Sequence, residues 1–242
     1  MVIDLNMDVG EGLKNEAQLF PFISSCNIAC GGHAGTYNSM DRVIELAKSH
    51  EVKIGAHPSF PDKANFGRKV IDISPSILKS SIRKQLKDFA KVAADNDCTI
   101  NHVKAHGALY NLAAKDAATA TLYAKVVKEE LDVAVYAPYN SVLAQVARDY
   151  ELRVILEAFA DRNYNDDLSL VSRINDQALI LESDQILDHV LEIICKDRVK
   201  SINHTWIPIK AETICMHSDS PNAELLIRQL SEDLKSRGIE IG

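Results

Sequence analysis

Apolar residues recur along this chain in short blocks, and the longer stretches between them carry apolar positions at helical spacing. The blocks predict strands at 2–6, 25–30, 52–57, 100–105, 133–137, 153–159, 200–206 and 213–217. The intervening pattern predicts helices near 37–50, 75–96, 116–131, 140–150, 184–196 and 222–237. Ser74-Pro75 reads as an N-cap followed by proline at the first helical position. Gly238 reads as the stop after the last helix. Strand–helix alternation of this kind implies right-handed crossovers and a mainly parallel sheet. The number of units suits one closed barrel spanning residues 1–242, with an open doubly wound sheet as the alternative. No linker composition and no internal repeat marks a boundary. The segment 160–183 is too long and polar for a plain connector, and such loops are often functional or mobile.

Strand parity then separates chemistry from packing. Ile3, Leu5, Met7 and Val9 share one face of the first strand, and Asp4, Asn6 and Asp8 share the other. Helices cover the outer strand face of a barrel, so the apolar set belongs there. The polar set must then point inward or toward the top, which is costly unless those groups are paired or used. The fourth strand repeats the arrangement, with Val103 and Ala105 against His102, Lys104 and His106. By the same parity Asp161 follows Glu157, and His217 follows Thr213 and Cys215. Ligands of parallel α/β folds bind beyond the carboxyl ends of the strands. Asp8, His33, His57, Lys104, His106, Asp161 and His217 all fall at such ends, and a barrel gathers them on one rim.

Composition narrows the function classes. The formal net charge is −7, and no basic stripe interleaved with aromatics appears, which argues against a nucleic-acid partner. No apolar run approaches the ~20 residues of a membrane span, and no secretory pattern is visible at the start, so a cytoplasmic protein is expected. Five cysteines lie in or beside apolar segments, as buried thiols usually do. Cys26 and Cys30 have no second pair at metal-ligand spacing, so they read as strand cysteines.

Single histidines near strand ends are more often structural than catalytic. That reading suits His50, His189 and His204, but it weakens where glycine or proline turns flank His33, His57 and His106. Gly31-Gly32-His33-Ala34-Gly35 lets backbone approach a ligand, yet no Walker sequence follows it. Arg68 is as readily a solvated arginine as a fork for a carboxylate. A lysine on a barrel strand, as Lys104 is, needs a charged partner or a ligand.

Several ordered blocks carry a resemblance to a known family. They are Asp4-Leu5-Asn6-Met7-Asp8-Val9-Gly10-Glu11-Gly12, Asn27-Ile28-Ala29-Cys30-Gly31-Gly32-His33-Ala34-Gly35, and Gly55-Ala56-His57-Pro58-Ser59-Phe60-Pro61-Asp62 with Asn65-Phe66-Gly67-Arg68. The blocks continue with His102-Val103-Lys104-Ala105-His106-Gly107-Ala108-Leu109-Tyr110-Asn111, Phe159-Ala160-Asp161-Arg162, Arg198-Val199-Lys200-Ser201 and Cys215-Met216-His217. Together they closely resemble the LamB/YcsF family, the A subunit of bacterial ATP-dependent 5-oxoprolinase. Gly32, Ala105, Asn163, Ser172 and Ser218 depart from the family's usual residues; none of these positions is a candidate acid, base or cation.

The resemblance implies a seven-stranded β/α barrel similar to the glycoside hydrolase/deacetylase superfamily. It implies opening of 5-oxo-L-proline to L-glutamate coupled to ATP (with Mg for the nucleotide), together with B and C subunits. Oligomerisation of the chain with itself stays open. On this reading Asp8 or His57 is the general base, His33 or His106 protonates the leaving nitrogen, and Lys104 stabilises the oxyanion. Arg68 or Arg162 holds the substrate carboxylate, and Asn6, Asp161 and His217 complete the binding set. The runner-up places a divalent metal on Asp8, His33 and His57 for deacetylation or amide hydrolysis. A third reading makes the chain a non-catalytic, substrate-binding component.

Overall fold

A computed structural model describes residues 1–13 and 16–242. Its strands are β1 (Val2–Val9), β2 (Ser25–Ala29), β3 (Lys53–His57), β4 (Ile100–Val103), β5 (Ala134–Pro138), β6 (Val154–Phe159), β7 (Arg198–Lys200), β8 (Trp206–Pro208), β9 (Thr213–Met216) and β10 (Glu240–Ile241). Its helices are α1 (Tyr37–Ser49), α2 (Pro75–Asp95), α3 (Gly107–Ala113), α4 (Ala117–Glu130), α5 (Val142–Asp149), α6 (Ser183–Lys196) and α7 (Ala223–Ser236). Strands β1, β2, β3, β4, β5, β6 and β9 follow one another in parallel, and β9 pairs back onto β1, which closes a seven-stranded barrel. An open sheet is thereby ruled out. Among the described residues, no helix is long and apolar enough to cross a membrane.

The helix boundaries follow the caps. The Ser74 hydroxyl accepts from the Ile77 amide ahead of Pro75, and the Asp116 and Ser141 side chains cap α4 and α5 in the same way. Gly238, at φ +75°, ends the turn after α7, where the Gly238 and Ile239 amides reach the last carbonyls of the helix. The outward strand residues Leu5, Met7, Val9, Ile28, Ala56, Val103 and Ile214 join apolar residues of the surrounding helices in one core.

The inside of the barrel is polar, whereas branched apolar side chains dominate in most barrels of this type. At its base the Asp4 carboxylate accepts from Ser25 (2.7 Å), Tyr136 (3.1 Å) and Thr213 (2.5 Å), which arrive on three other strands. Above it the Asn6 amide donates to Glu157 and Thr213, and Asn27 donates to Asn6 and Asp8. His102 meets the Asn27 carbonyl oxygen at 2.7 Å and stacks on Tyr136 at 3.9 Å. A network so fully paired specifies one strand register, because a slip would orphan several buried groups at once.

Gly55 makes room for that stack. A Cβ there would lie 2.2 Å from His102 Nε2, and His102 is fixed by its hydrogen bond and its stacking partner. Gly55→Ala is expected to lose ~1–3 kcal/mol, as overpacking in rigid cores does. Urea unfolding checks this; an unchanged midpoint would show that His102 is free to move.

The structure corrects the pattern in two places. The segment 200–206 is not a barrel strand: it is the turn of an antiparallel hairpin, β7–β8, in which His204 takes φ +62°. Alternation looked strand-like there because the segment does pair, but with itself. Helix α3 follows β4 directly and was not expected, since its seven residues are too few to show helical periodicity. The 160–183 segment is more than a plain connector, as its length implied: Tyr164, Val171, Ala178 and Ile180 are buried, Tyr164 is bridged to Leu170 and Ser201, and residues 168–174 line a cavity. Of the cysteines, Cys26, Cys30 and Cys215 are buried as expected, but Cys195 is exposed on α6.

Candidate active site

Lys104 lies just beyond β4, where its amide still bonds the Ala56 carbonyl and aims its side chain up the barrel. Its Nζ lies 2.8 Å from Glu157 Oε1, 3.1 Å from Asp8 Oδ1, 3.3 Å from Asn6 Oδ1 and 3.0 Å from Cys215 Sγ. Burial alone would lower the lysine pKa, but Asp8, Cys215 and Glu157 outweigh it and hold the ammonium well above its usual value. Burial likewise pushes the Asp8 carboxyl up, and His57 and Lys104 reverse that, keeping it ionised well below the carboxylate range. The floor is therefore a charged, water-poor cluster in which each ion depends on the others.

Beside it stand three imidazoles and a third carboxylate. Glu11, His33, His57 and His106 gather so closely that one donor atom from each lies within 4.8 Å of the others. Loops explain the convergence. The buried Glu16 carboxylate accepts from the Gly10 and Glu11 amides and fixes the turn after β1. Asp62 accepts from the Asn65 amide and side chain, shaping the turn that carries Phe66 and Gly67 over the histidines. Gly67, at φ +62°, is essential to that approach, because a Cβ would sit 2.9 Å from His33 Cβ. His33 and His106 stack with centroids 3.6 Å apart. Burial, then the charge of His57, lowers the His33 pKa to about 3 and that of His106 to about 2. Burial and Asp8 raise Glu11 to about 8.

The cluster opens into a cavity of about 870 Å³, lined by Asp8, His57, Lys104, His106 and Glu157 at its base. Arg68, Lys69, Lys115, Arg162 and Arg173 line it as well, facing the acidic Asp167. Arg68 and Arg173 share one carboxylate, Asp219, which leaves this side of the cavity with surplus positive charge. Arg162 is buried, and its guanidinium donates to the Ala178 and Val171 carbonyls, which ties down the 160–183 excursion. The Asp161 carboxylate is occupied by His217 (Nδ1, 2.9 Å) and Ser220 (2.7 Å), so it orients His217 at the cavity wall. Asn6 lies below Lys104 within the barrel network.

Asp8, His57, Lys104 and His106 are thus brought together, with His33 beside them. Arg68, Arg162 and His217 line the same cavity, while Asn6 and Asp161 support it from behind. Sequence reasoning missed Glu11, Glu157 and Tyr110. Glu157 is a barrel-facing acid with the same parity as Asp161, a signal that could have found it. Glu157 Oε2 and the Tyr110 hydroxyl are buried without a well-formed hydrogen bond, and both residues line the cavity. Tyr110 was hidden because it projects from α3.

Comparison with known proteins agrees with this architecture. The chain matches the LamB/YcsF family over residues 3–242. The 5-oxoprolinase A subunit of Histophilus somni (strain 129Pt) is 39% identical over 238 residues, covering 98% of this chain and 96% of that protein. The 5-oxoprolinase A subunit of Staphylococcus aureus (strain bovine RF122 / ET3-1) is also 39% identical, covering 100% and 99%. Among solved structures, the lactam utilization protein from Thermus thermophilus superposes with TM-score 0.93 at 32% identity, covering 100% of this chain and 99% of that one. A GH18 chitinase from Pseudoalteromonas aurantia, 10% identical with TM-score 0.52 over 96% of this chain and 100% of that one, shares the barrel alone. The chain belongs to the LamB/YcsF family.

Proposed function

We propose that this chain is the A subunit of a 5-oxoprolinase and opens the lactam ring of 5-oxo-L-proline to give L-glutamate. The observation that carries this reading is the Lys104–Asp8–Glu157 cluster at the base of a cavity with surplus cationic charge, in a chain whose relatives bear that name. A lactam offers a carbonyl that must accumulate negative charge and a nitrogen that must gain a proton. Lys104 Nζ is the fixed cation for the first task. The Asp8–His57 pair, 3.3 Å apart, accepts the proton of the attacking water and passes it to the nitrogen as the C–N bond breaks. Arg68, exposed enough to swing from Asp219, is the fork for the substrate carboxylate.

Coupling to ATP answers a physical need. A tethered amine recloses onto its carboxyl derivative with effective molarities of ~10⁵–10⁸ M, so opening has to be driven. In this proposal B and C subunits activate the lactam with ATP, by phosphorylation, and this chain hydrolyses the activated ring. The cavity has room for such an added anionic group beside Lys69, Lys115 and Arg173.

The test is glutamate release from 5-oxoproline and ATP by this chain with verified B and C partners. Release is expected only in the full mixture, and a ~10²–10⁴-fold drop is expected for Asp8→Asn. No release from a mixture of active partners would overturn the assignment. Unchanged turnover in Asp8→Asn and His57→Ala would instead make the chain a binding component of the complex.

A further inference from the structure

With both rings neutral, the hydrogen bonds around the histidine cluster leave two lone pairs face to face, which calls for a cation between them, either a proton on His57 or a bound metal ion. His57 Nδ1 lies 2.8 Å from the Lys104 carbonyl, and His106 Nε2 lies 2.9 Å from the Phe66 carbonyl. A carbonyl oxygen only accepts, so both of those nitrogens carry hydrogen. In the neutral rings the remaining nitrogens, His57 Nε2 and His106 Nδ1, are then bare lone pairs. They face each other at 3.0 Å. Two further oxygens flank these atoms: Asp8 Oδ2 is 3.3 Å from His57 Nε2, and Glu11 Oε1 is 3.5 Å from His106 Nδ1. Four electron-rich atoms converge with no hydrogen between the two imidazoles.

We propose that Glu11, His57 and His106, with Asp8 Oδ2 as fourth neighbour, form a binding site for one divalent transition-metal ion. The geometry fits such an ion. Tetrahedral zinc with metal–nitrogen bonds near 2.0–2.1 Å places its nitrogen ligands roughly 3.3 Å apart, a few tenths more than the 3.0 Å seen. The His57 and His106 rings are nearly perpendicular, at 86°, so both in-plane lone pairs can meet at one point. The backbone carbonyls behind each ring fix the tautomer that ligation requires. Two imidazoles and two carboxylates favour zinc, manganese or cobalt over magnesium or calcium.

His33 is not a ligand in this site, although it is part of the cluster. Its ring is parallel to that of His106, at 4° and 3.6 Å between centroids, and no point lies in both planes. Its Nε2, 2.8 Å from Glu11 Oε1, orients that carboxylate from outside. An ion held here would occupy His57 Nε2 and so take that nitrogen out of proton exchange with Asp8. The site is inferred without reference to any substrate, so it stands or falls apart from the lactam reading.

The experiment is cobalt and zinc uptake by the full chain after stripping with a chelator. One ion per chain is expected, with visible cobalt absorption and a rise in unfolding midpoint of roughly 5–10 °C at free metal about 100 times Kd. His106→Gln and Glu11→Gln should abolish tight uptake, whereas His33→Ala should weaken it by ~10–100-fold as an orienting residue does. Imidazole nitrogen shifts on wild-type protein give the same answer without variants: zinc should move His57 Nε2 and His106 Nδ1 and leave the His33 nitrogens unligated. No uptake by folded wild-type chain, or uptake undiminished in a Glu11→Gln/His106→Gln chain, would overturn the site. In the first case the two imidazoles share a proton instead.

Discussion

Lys104→Met is expected to reduce glutamate release from the full mixture by ~10²–10³-fold, the range for losing a single oxyanion donor. The loss has two sources that experiment can separate. Without the ammonium, the developing oxyanion has no fixed cation, and Asp8 and Glu157 face each other across a dry barrel. Leaving such buried carboxylates uncompensated costs about 3–5 kcal/mol of stability. The double variant Lys104→Met/Glu157→Gln removes one of the two stranded charges, so it should regain much of the stability but no turnover. Urea midpoints and kcat on the same preparations make the comparison. A folded Lys104→Met chain that keeps a tenth of wild-type turnover would remove Lys104 from the chemistry.

The second large effect is loss of stability in mild acid. Burial, then Lys104, holds the His102 pKa well below its ordinary value, and burial lowers that of half-buried His189 to about 4. Both groups titrate near 6.5 in the unfolded chain. Below pH 6.5 the unfolded chain therefore binds protons that the folded one refuses, and stability falls as pH falls. Between pH 7.5 and 5.5 each such imidazole costs about 1.4 kcal/mol. In metal-free protein His33 and His106, lowered to about 3 and about 2, add to the same slope, whereas Glu11, raised to about 8, takes up a proton in the folded chain across this window and offsets part of it. The depressed carboxyls Asp8 and Asp161 lose their contribution only below the ordinary carboxylate range, so they do not mask this window. His189→Gln retains a donor for the Phe159 carbonyl and should flatten the pH dependence by up to one proton. Equal urea midpoints for wild-type chain at pH 5.5 and 7.5 would refute the account.

Much of this was readable from parity. Alternation in β1 and β4 put Asp8 and Lys104 on the inner face, because an apolar face under helices leaves only one place for the other side chains. What parity cannot convey is distance. Asp8 and Lys104 sit 96 positions apart in the chain, and their meeting depends on strand order and tilt. Residues on loops and short helices escaped for a different reason. Glu11 and Tyr110 have no periodic neighbours to reveal their direction, and Glu11 is aimed by Glu16, a side chain whose role shows only in three dimensions. Arg162 and Asp161 illustrate the converse: their placement at a strand end was evident, but both are engaged by protein groups that no pattern announces.

The closing pair β1–β9 has a consequence for how the chain is made. Thr213 is made 209 residues after Asp4, and Glu157 151 residues after Asn6, although each completes the other's hydrogen bonds. Until then the polar inner face of β1 is only partly satisfied, by Ser25, Asn27 and Tyr136, and one edge is unpaired, which is an invitation to mispair. Vectorial synthesis cannot complete this barrel from β1 onward; β9 arrives as a keystone, and closure waits for it.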